Sequence, residues 1–210
     1  MYTAEIPNLD LRTSWVRNRT MIYKEGQVCD RFFVVRDGRV LVGAVDNTKG
    51  VVDIIGQNEL LGTEVIAGSA RYRYSALTYP DCQIQAIPRS ELPSLYAQYP
   101  DLQSRIFSSS EEQTARIIAR MDTRLKKGSL ASLAMVIREL ADPELRVFGV
   151  SQQVIGQMAM METREATNKH LGKMKDRGVI EVAYVNIKVK DEAHLAYIAE
   201  TGSFQPAYAR

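Results

Sequence analysis

Residues 151–191 constrain the fold of this chain more than any other segment. Two short helical patterns there are separated by a tight break and are followed by two β-rich runs. Along the second helix, packing side chains recur at helical spacing and continue past the glycine at position 178: Ala166, His170, Leu171, Met174 and Ile180. The other faces carry Arg164, Glu165, Asn168, Lys169 and Lys173. One face can therefore pack while another stays exposed, as in a winged helix-turn-helix.

The first exposed turn of the second helix has the chemistry to read base pairs. Arginine can bond O6 and N7 of guanine together, and glutamate can accept from N4 of cytosine, so Arg164 and Glu165 suit G·C pairs. The alternative is an ordinary solvated helix, since any surface helix can carry such a pair. Residues 163–190 hold seven basic and three acidic side chains, whereas the whole chain has a net charge of only +2. This local positive charge favours binding to phosphate groups.

The rest of the chain offers nothing obvious to a polyanion. Residues 1–125 contain 15 basic and 15 acidic side chains. A chain of 210 residues, 45% of them hydrophobic, can bury one large core or two modest ones. The sequence therefore predicts two modules with different partners.

Composition also indicates where such a protein works. No run approaches the roughly 20 apolar residues of a membrane span, and residues 1–15 lack the apolar stretch of a signal peptide. We therefore expect a cytoplasmic protein. Cys29 and Cys82 are isolated from each other and from any histidine, so we expect packing residues, with no metal site and no cofactor.

Residues 1–98 show short strands separated by turns. Asp37-Gly38 between two apolar runs is a hairpin signal, and the last two strands alternate with a period of two. Many short strands at regular spacing predict an antiparallel jelly roll. The predicted strands are residues 32–35, 40–42, 51–55, 71–76 and 82–87.

A barrel of this kind can also be a metal enzyme of the cupin type, which needs clustered histidines and carboxylates. The two histidines of the chain, His170 and His194, both lie outside the barrel. Metal catalysis is therefore disfavoured, and we expect that the chain is not an enzyme.

A long helix is predicted between the modules, because Asp101 can cap a helix start and no Pro or Gly follows until Gly128. Its apolar positions form a narrow seam, typical of pairing with a second copy; the alternative is packing on its own barrel. A palindromic DNA site needs two recognition helices, which favours a homodimer. The predicted dimer seam is Ile106, Gln113, Ile117 and Met121.

Three domains follow from these patterns. Residues 1–98 are the jelly roll, residues 99–128 the long dimerisation helix, and residues 129–210 the winged helix-turn-helix. The fold class is α+β.

In this order, the parts resemble the cyclic-AMP receptor protein and FNR family of bacterial transcription regulators over residues 16–195. Residues 24–42 resemble the family's first hairpin, and GQNELLGTE at residues 56–64 resembles its phosphate loop. Residues 150–180 resemble its DNA reader, and AYVNIKVKDEAHL at residues 183–195 its wing and final strand.

The resemblance implies double-stranded DNA and RNA polymerase as partners. The predicted base contacts are Arg164, Glu165 and Lys169. The predicted phosphate contacts are Ser151, Gln152, Thr163, Lys173 and Lys188. Residues 156–163 run one residue longer than the family's usual spacing, which indicates either an enlarged turn or a shifted register.

The chain departs from the family where cyclic nucleotides bind. The family's nucleotide binders carry Gly-Glu for the ribose and Arg-Ser for the cyclic phosphate; here those positions are Gly62-Thr63 and Tyr74-Ser75. Arg73 is expected on the opposite face from its neighbour, which leaves a buried phosphate without a counter-charge. An iron–sulfur cluster of the FNR type needs four cysteines, and the chain has two. The possible effector pocket is Gly62, Thr63, Glu64, Tyr74, Ser75, Ile117 and Ile118.

These observations predict a sequence-specific regulator that binds a pseudo-palindromic promoter site as a homodimer without cyclic AMP. One alternative is a regulator gated by an unidentified metabolite in the barrel. A second alternative is a nucleoid-architectural protein with little sequence preference, which the ratio of specific to non-specific affinity distinguishes.

Overall fold

The computed structural model describes residues 11–45, 50–183 and 186–204. The chain divides into two compact units, Met1–Arg116 and Ile117–Arg210. No helix in the described part of the chain is long and apolar enough to cross a membrane.

Two four-stranded antiparallel sheets make up the first unit. Their strand orders are β1-β8-β3-β6 and β2-β7-β4-β5, so strands that are distant in sequence become neighbours, as in a jelly roll. The predicted antiparallel jelly roll is confirmed. The strands are β1 Thr13–Val16, β2 Met21–Tyr23, β3 Arg31–Asp37, β4 Val40–Gly43, β5 Val51–Ile55, β6 Leu60–Leu61, β7 Ser75–Thr78 and β8 Cys82–Pro88.

The core of this unit is built from β-branched and aromatic side chains of both sheets. Phe32, Val34 and Ile87 are completely buried, and the Tyr23 ring stacks on that of Tyr72 with centroids 3.9 Å apart. Large apolar side chains such as these dominate the stability of a small domain. Both cysteines are buried free thiols, as expected of packing residues.

Asp37-Gly38 does not form the predicted hairpin. β3 pairs with β6 and β8, whereas β4 pairs with β5 and β7, so the chain crosses from one sheet to the other at Gly38. Gly38 has a φ of 84°, and a Cβ there would lie 2.6 Å from the carbonyl oxygen of Asp81. Glycine is required here because the backbone is left-handed and the Asp81 carbonyl lies close to it, and not because of a two-residue turn.

The predicted strand at residues 71–76 is largely wrong. Residues 73–74 form a bend, and β7 begins only at Ser75. The alternation of charged and aromatic side chains in this segment therefore does not correspond to the two faces of a strand.

Two helices follow the strands of the first unit. A short helix, α1 (Leu92–Gln98), was not predicted. The long helix α2 (Leu102–Leu140) is interrupted at Gly128, where φ is 85° and ψ is −174°. The predicted helix ends at this glycine, and a second helical segment follows it.

The second unit contains the last part of α2, three helices and a three-stranded antiparallel sheet of order β10-β11-β9. Completely buried side chains at its centre include Leu133, Ile137 and Ile155. The remaining elements are β9 Arg146–Phe148, α3 Gln152–Met158, α4 Arg164–Asp176, β10 Ile180–Val182, β11 Asn186–Val189 and α5 Glu192–Thr201.

The C-terminal end of the described chain differs from the expected final strand. β11 ends at Val189, and Asp191 caps α5 by accepting a hydrogen bond from the backbone N–H of His194 at 2.9 Å. An aspartate at the N-cap satisfies an amide that the first turn leaves free. Leu195 and Ile198 of α5 are completely buried, so this helix belongs to the core of the second unit.

Candidate nucleic-acid interface

The two helices of the predicted helix-turn-helix, α3 and α4, approach each other closely at Gly156. A Cβ at this position would lie 2.3 Å from Oγ1 of Thr167, which is itself 2% exposed. Thr167 donates its hydroxyl proton to the carbonyl of Thr163 at 3.1 Å, so its side chain is satisfied within α4. The close approach at this glycine was not predicted from the sequence. A glycine inside an apolar helical pattern is the signal that could have identified it.

Both helices begin with a side-chain cap. Ser151 Oγ accepts from the backbone N–H of Val154 at 3.3 Å, and Thr163 Oγ1 accepts from that of Ala166 at 3.0 Å. Caps of this type fix the start of each helix. Ser151 and Gln152 are half-buried and Thr163 is exposed. Ser151 and Thr163, two of the predicted phosphate contacts, thus set where α3 and α4 begin, and Gln152 is the first residue of α3.

The connection between the helices is long for a helix-turn-helix. Residues 159–163 separate α3 from α4, whereas three or four residues are usual. Met160 takes the left-handed conformation with a φ of 54°, and the backbone N–H of Met161 donates to the carbonyl of Gly156 at 2.9 Å. Of the two alternatives for residues 156–163, this geometry corresponds to an enlarged turn.

The exposed face of α4 carries the three predicted base-contact residues. Arg164 and Glu165 lie in its first turn and Lys169 one turn later, all exposed. Thr167, Leu171 and Met174, which follow one another at steps of four and three residues, form the buried stripe of the helix. The predicted division of this helix into a packed face and a free face is therefore observed.

A β-hairpin follows α4, as expected of a wing. Glu181 of β10 is in register with Lys188 of β11, and Lys188 is exposed. Lys173 is exposed in the last turn of α4. Tyr184 and Val185, which follow β10 in the sequence, lie outside the described residues.

His170 lies on α4 between the exposed and the buried face. Its Nε2 is 3.1 Å from Oγ of Ser129, and its Nδ1 is buried without a hydrogen-bond partner in the described part of the chain. Burial and, after it, the positive charges of Lys173, Lys169 and Arg124 lower the pKa of His170 below its ordinary 6.5. A neutral imidazole at this position avoids a buried charge.

The predicted effector pocket is only partly assembled. A cavity of about 500 Å³ in the first unit is lined by Thr63, Glu64 and Tyr74. Gly62 and Ser75 are buried, and Ser75 Oγ accepts from the backbone N–H of Glu25 at 3.0 Å. Of the two remaining predicted pocket residues, Ile117 is half-buried and Ile118 is exposed, and both belong to the second unit.

The expectation that Arg73 points away from this pocket is wrong. Arg73 lines the cavity together with Tyr74, because residues 73–74 form a bend in which successive side chains do not alternate. Glu64 stands beside it, since its Oε1 accepts from the backbone N–H of Arg73 at 3.1 Å. The cavity therefore contains a cation and a carboxylate.

The apolar face that α2 leaves exposed differs by about one residue from the predicted seam. Ile106 is 5% exposed and belongs to the jelly-roll core, and Gln113 Nε2 donates to the carbonyl of Leu60 at 3.0 Å. Ile117 is half-buried, and Met121 is 47% exposed. The narrow pattern in the sequence combined residues that face the jelly roll with residues that face solvent.

A second set of apolar side chains on α2 is exposed. Phe107, Ile118, Met121 and Leu125 are 74, 58, 47 and 82% exposed. Phe107 is followed seven residues later by Thr114, and Ile118, Met121 and Leu125 then follow at steps of four, three and four residues. The four apolar side chains therefore share one side of the helix. We call these four residues the exposed seam.

Comparison with known proteins agrees with this architecture. Residues 14–99 match the cyclic nucleotide-binding domain family. The "CRP-like cAMP-activated global transcriptional regulator" of Mycobacterium tuberculosis is 26% identical over 194 residues, covering 83% of this chain and 82% of that protein.

Solved structures show the same fold. FixK2 from Bradyrhizobium japonicum has a TM-score of 0.77 at 15% identity, covering 90% of this chain and 97% of that one. A CRP-family transcriptional regulator from Thermus thermophilus has a TM-score of 0.73 at 19% identity, covering 92% and 100%.

Fold and site together define a protein with an N-terminal cyclic nucleotide-binding-like domain, a long helix and a C-terminal winged helix-turn-helix. These comparisons confirm the resemblance seen in the sequence: residues 14–99 match the cyclic nucleotide-binding domain family, and the chain is similar over most of its length to regulators of the cyclic-AMP receptor protein and FNR family.

Proposed function

We propose that this protein is a sequence-specific transcription regulator that binds a pseudo-palindromic promoter site as a homodimer. The observation that carries the proposal is α4, which is capped, packed through Gly156 and Thr167, and exposes Arg164, Glu165 and Lys169 in its first two turns. Side chains held on a rigid helix can reach base edges in a major groove. Lys173 and Lys188 are exposed nearby in sequence and supply charge for phosphates.

The exposed seam supports the homodimer. Four large apolar side chains on one side of a helix are costly to leave in water, and a second copy of α2 covers them symmetrically. Two copies of α4 then match the two half-sites of a palindrome, about 34 Å apart. RNA polymerase is the further partner we propose.

We propose that cyclic AMP is not required. Tyr74 stands where the family's nucleotide binders have an arginine, and the one cation of the described cavity lining, Arg73, is exposed to water beside Glu64. The Glu64 carboxylate opposes the charge of a cyclic phosphate, and water weakens what Arg73 can offer it.

A regulator gated by another metabolite is a second candidate. The cavity of about 500 Å³ favours it, because the cavity combines Arg73 and Glu64 with the aromatic rings of Tyr74 and Tyr96. An architectural role with little sequence preference has no comparable observation in its favour.

Selection of DNA sequences from a random pool by the purified protein tests the proposal. We expect enrichment of a two-fold symmetric motif without added nucleotide, and specific binding at least about 10³-fold tighter than binding to random DNA at physiological salt. Equal binding to all sequences would support the architectural role, and enrichment only after adding a metabolite extract would support gating.

A further inference from the structure

Arg116 of α2 forms ion pairs with two carboxylates of the jelly roll, those of Asp53 and Glu59. Asp53 on β5 is 2% exposed, and its Oδ2 lies 3.4 Å from a guanidinium nitrogen of Arg116. The other terminal nitrogen of Arg116 pairs with Oε1 of Glu59. The Arg116 side chain is only 19% exposed, so both ion pairs are shielded from water.

The two carboxylates are themselves fixed by the first unit. Glu59 Oε2 accepts from the backbone N–H of Gly56 at 2.6 Å, and the Glu59 carbonyl accepts from the N–H of Val35 at 3.0 Å. Asp53 is in register with Val42 of β4, which is in turn in register with Ala76 of β7. The carboxylates are therefore anchored to the sheets, while the cation belongs to the helix.

Gln113 adds a second contact one turn earlier on α2. Its side-chain amide donates to the carbonyl of Leu60, immediately after Glu59. Gln113 and Arg116 are three residues apart and thus share one face of the helix. That face is held against residues 53–60 by polar contacts, with the apolar core ending at Ile106 two turns before.

We propose that Arg116 is a positioning residue that fixes residues 102–116 of α2 on the jelly roll by filling the Asp53–Glu59 site, so that this arrangement needs no effector. This rests on the proposed DNA-binding function. An effector switches a protein by binding one arrangement more tightly than another. A guanidinium carried by the helix itself acts at all times, because its removal takes the counter-charge from two carboxylates that are shielded from water.

The test uses the full-length protein with Asp53→Asn, Glu59→Gln and Arg116→Met combined, which removes the ion pairs without leaving a buried charge. The single variant Arg116→Lys keeps one positive charge. Lys126→Met, which removes an exposed ion pair with Asp122 on the same helix, is the matched control. The measurements are amide hydrogen exchange of residues 102–116 without DNA, thermal unfolding, and affinity for the selected DNA site.

We expect the triple variant to unfold near the wild-type temperature but to exchange the amides of residues 102–116 about tenfold faster and bind DNA about tenfold more weakly. Arg116→Lys should retain most of the protection, and Lys126→Met all of it. Wild-type exchange in the triple variant, or a loss in Arg116→Lys as large as in the triple variant, would overturn the proposal. If the wild type binds no DNA, the proposed function fails, while hydrogen exchange still tests the role of Arg116.

Discussion

Arg164 and Lys188 are both exposed and both basic, yet they should contribute differently to DNA binding. Arg164 lies in the first turn of α4, where a guanidinium can bond one guanine, so Arg164→Ala should cost about 1–3 kcal/mol on the specific site and relax preference at one G·C pair per half-site. Lys188→Ala should weaken binding to all sequences equally and reduce the salt dependence. Titration of specific and random DNA at several salt concentrations separates the two effects. A uniform loss for both variants would contradict base reading by Arg164.

Gly156 should be intolerant of any side chain. A methyl group there would meet Thr167 Oγ1 at 2.3 Å, and Thr167 is buried, so α3 and α4 must separate. Gly156→Ala should lower the free energy of unfolding by about 1–3 kcal/mol, as overpacking does. Gly172→Ala is the matched control, because a Cβ at that position of α4 meets no atom within 4 Å. Denaturant unfolding measures both, and equal stability of the two variants would disprove the close contact.

His170 should make the stability of the second unit depend on pH. Its folded pKa lies below the ordinary 6.5, so as pH falls through 6.5 the unfolded chain takes up the proton first and the free energy of unfolding decreases. Above that pH both states are neutral and the effect vanishes. Unfolding by denaturant at about pH 7.5 and about pH 5.5 measures it. His170→Gln should lose less stability than the wild type on this acidification; an unchanged loss would assign it to other groups.

The exposed seam of α2 predicts how two copies of this chain associate. Ile118 is 58% exposed in a single chain, so Ile118→Lys should fold normally and fail only at an interface, where it would bury a charge against its symmetry mate. We expect a dimeric wild type and a monomeric variant in equilibrium sedimentation. Lys127→Glu changes an exposed charge on the opposite side of α2 and should stay dimeric. A monomeric wild type would leave the seam without its proposed partner.

Periodicity predicted elements well where one face packs and the other is exposed. The division of α4 into two faces was predicted from spacing and is observed. The strand Val51–Ile55 was predicted as an apolar run ended by turn residues, and it is also observed. Periodicity failed where tertiary contacts decide: Gly38 turns the chain into the other sheet because Asp81 lies behind it, and residues 71–76 alternate without being a strand. On α2, spacing could not distinguish Ile106, which packs in the jelly-roll core, from the next residue, Phe107, which is exposed and begins the exposed seam.

Some functional residues of this protein could be identified from the sequence and others could not. The hydrogen-bonding chemistry of the first turn of α4 indicated Arg164 and Glu165, and the resemblance added Lys169; all three lie exposed on this helix. The Arg116 ion pairs were not predicted, because a charge on a long helix is solvent-exposed by default and its partners lie more than 50 residues away. Such long-range ion pairs depend on how the sheets and the helix pack together, and local sequence patterns carry no information about that packing.

We expect that cyclic AMP neither binds to this protein nor alters its affinity for DNA. Arg73 is exposed at the cavity beside Glu64, and the sequence resemblance implies that Tyr74 stands at the position of the family's phosphate-binding arginine. A ligand that gains nothing in either of two arrangements shifts no equilibrium between them. Calorimetry with millimolar cyclic AMP should give no heat of binding, and a DNA titration should be unchanged by the nucleotide.

The variant Arg73→Met decides how a contrary result is explained. Micromolar binding of cyclic AMP to the wild type that is lost in Arg73→Met would mean that Arg73, shifted by one residue from the family's position, holds the phosphate as a counter-charge. Binding that persists in the variant would require another cation, and the Arg116 guanidinium is already engaged by Asp53 and Glu59. A phosphate competing for Arg116 would have to displace two carboxylates that are shielded from water, so the ion pairs that hold residues 102–116 also oppose a cyclic nucleotide in this part of the jelly roll.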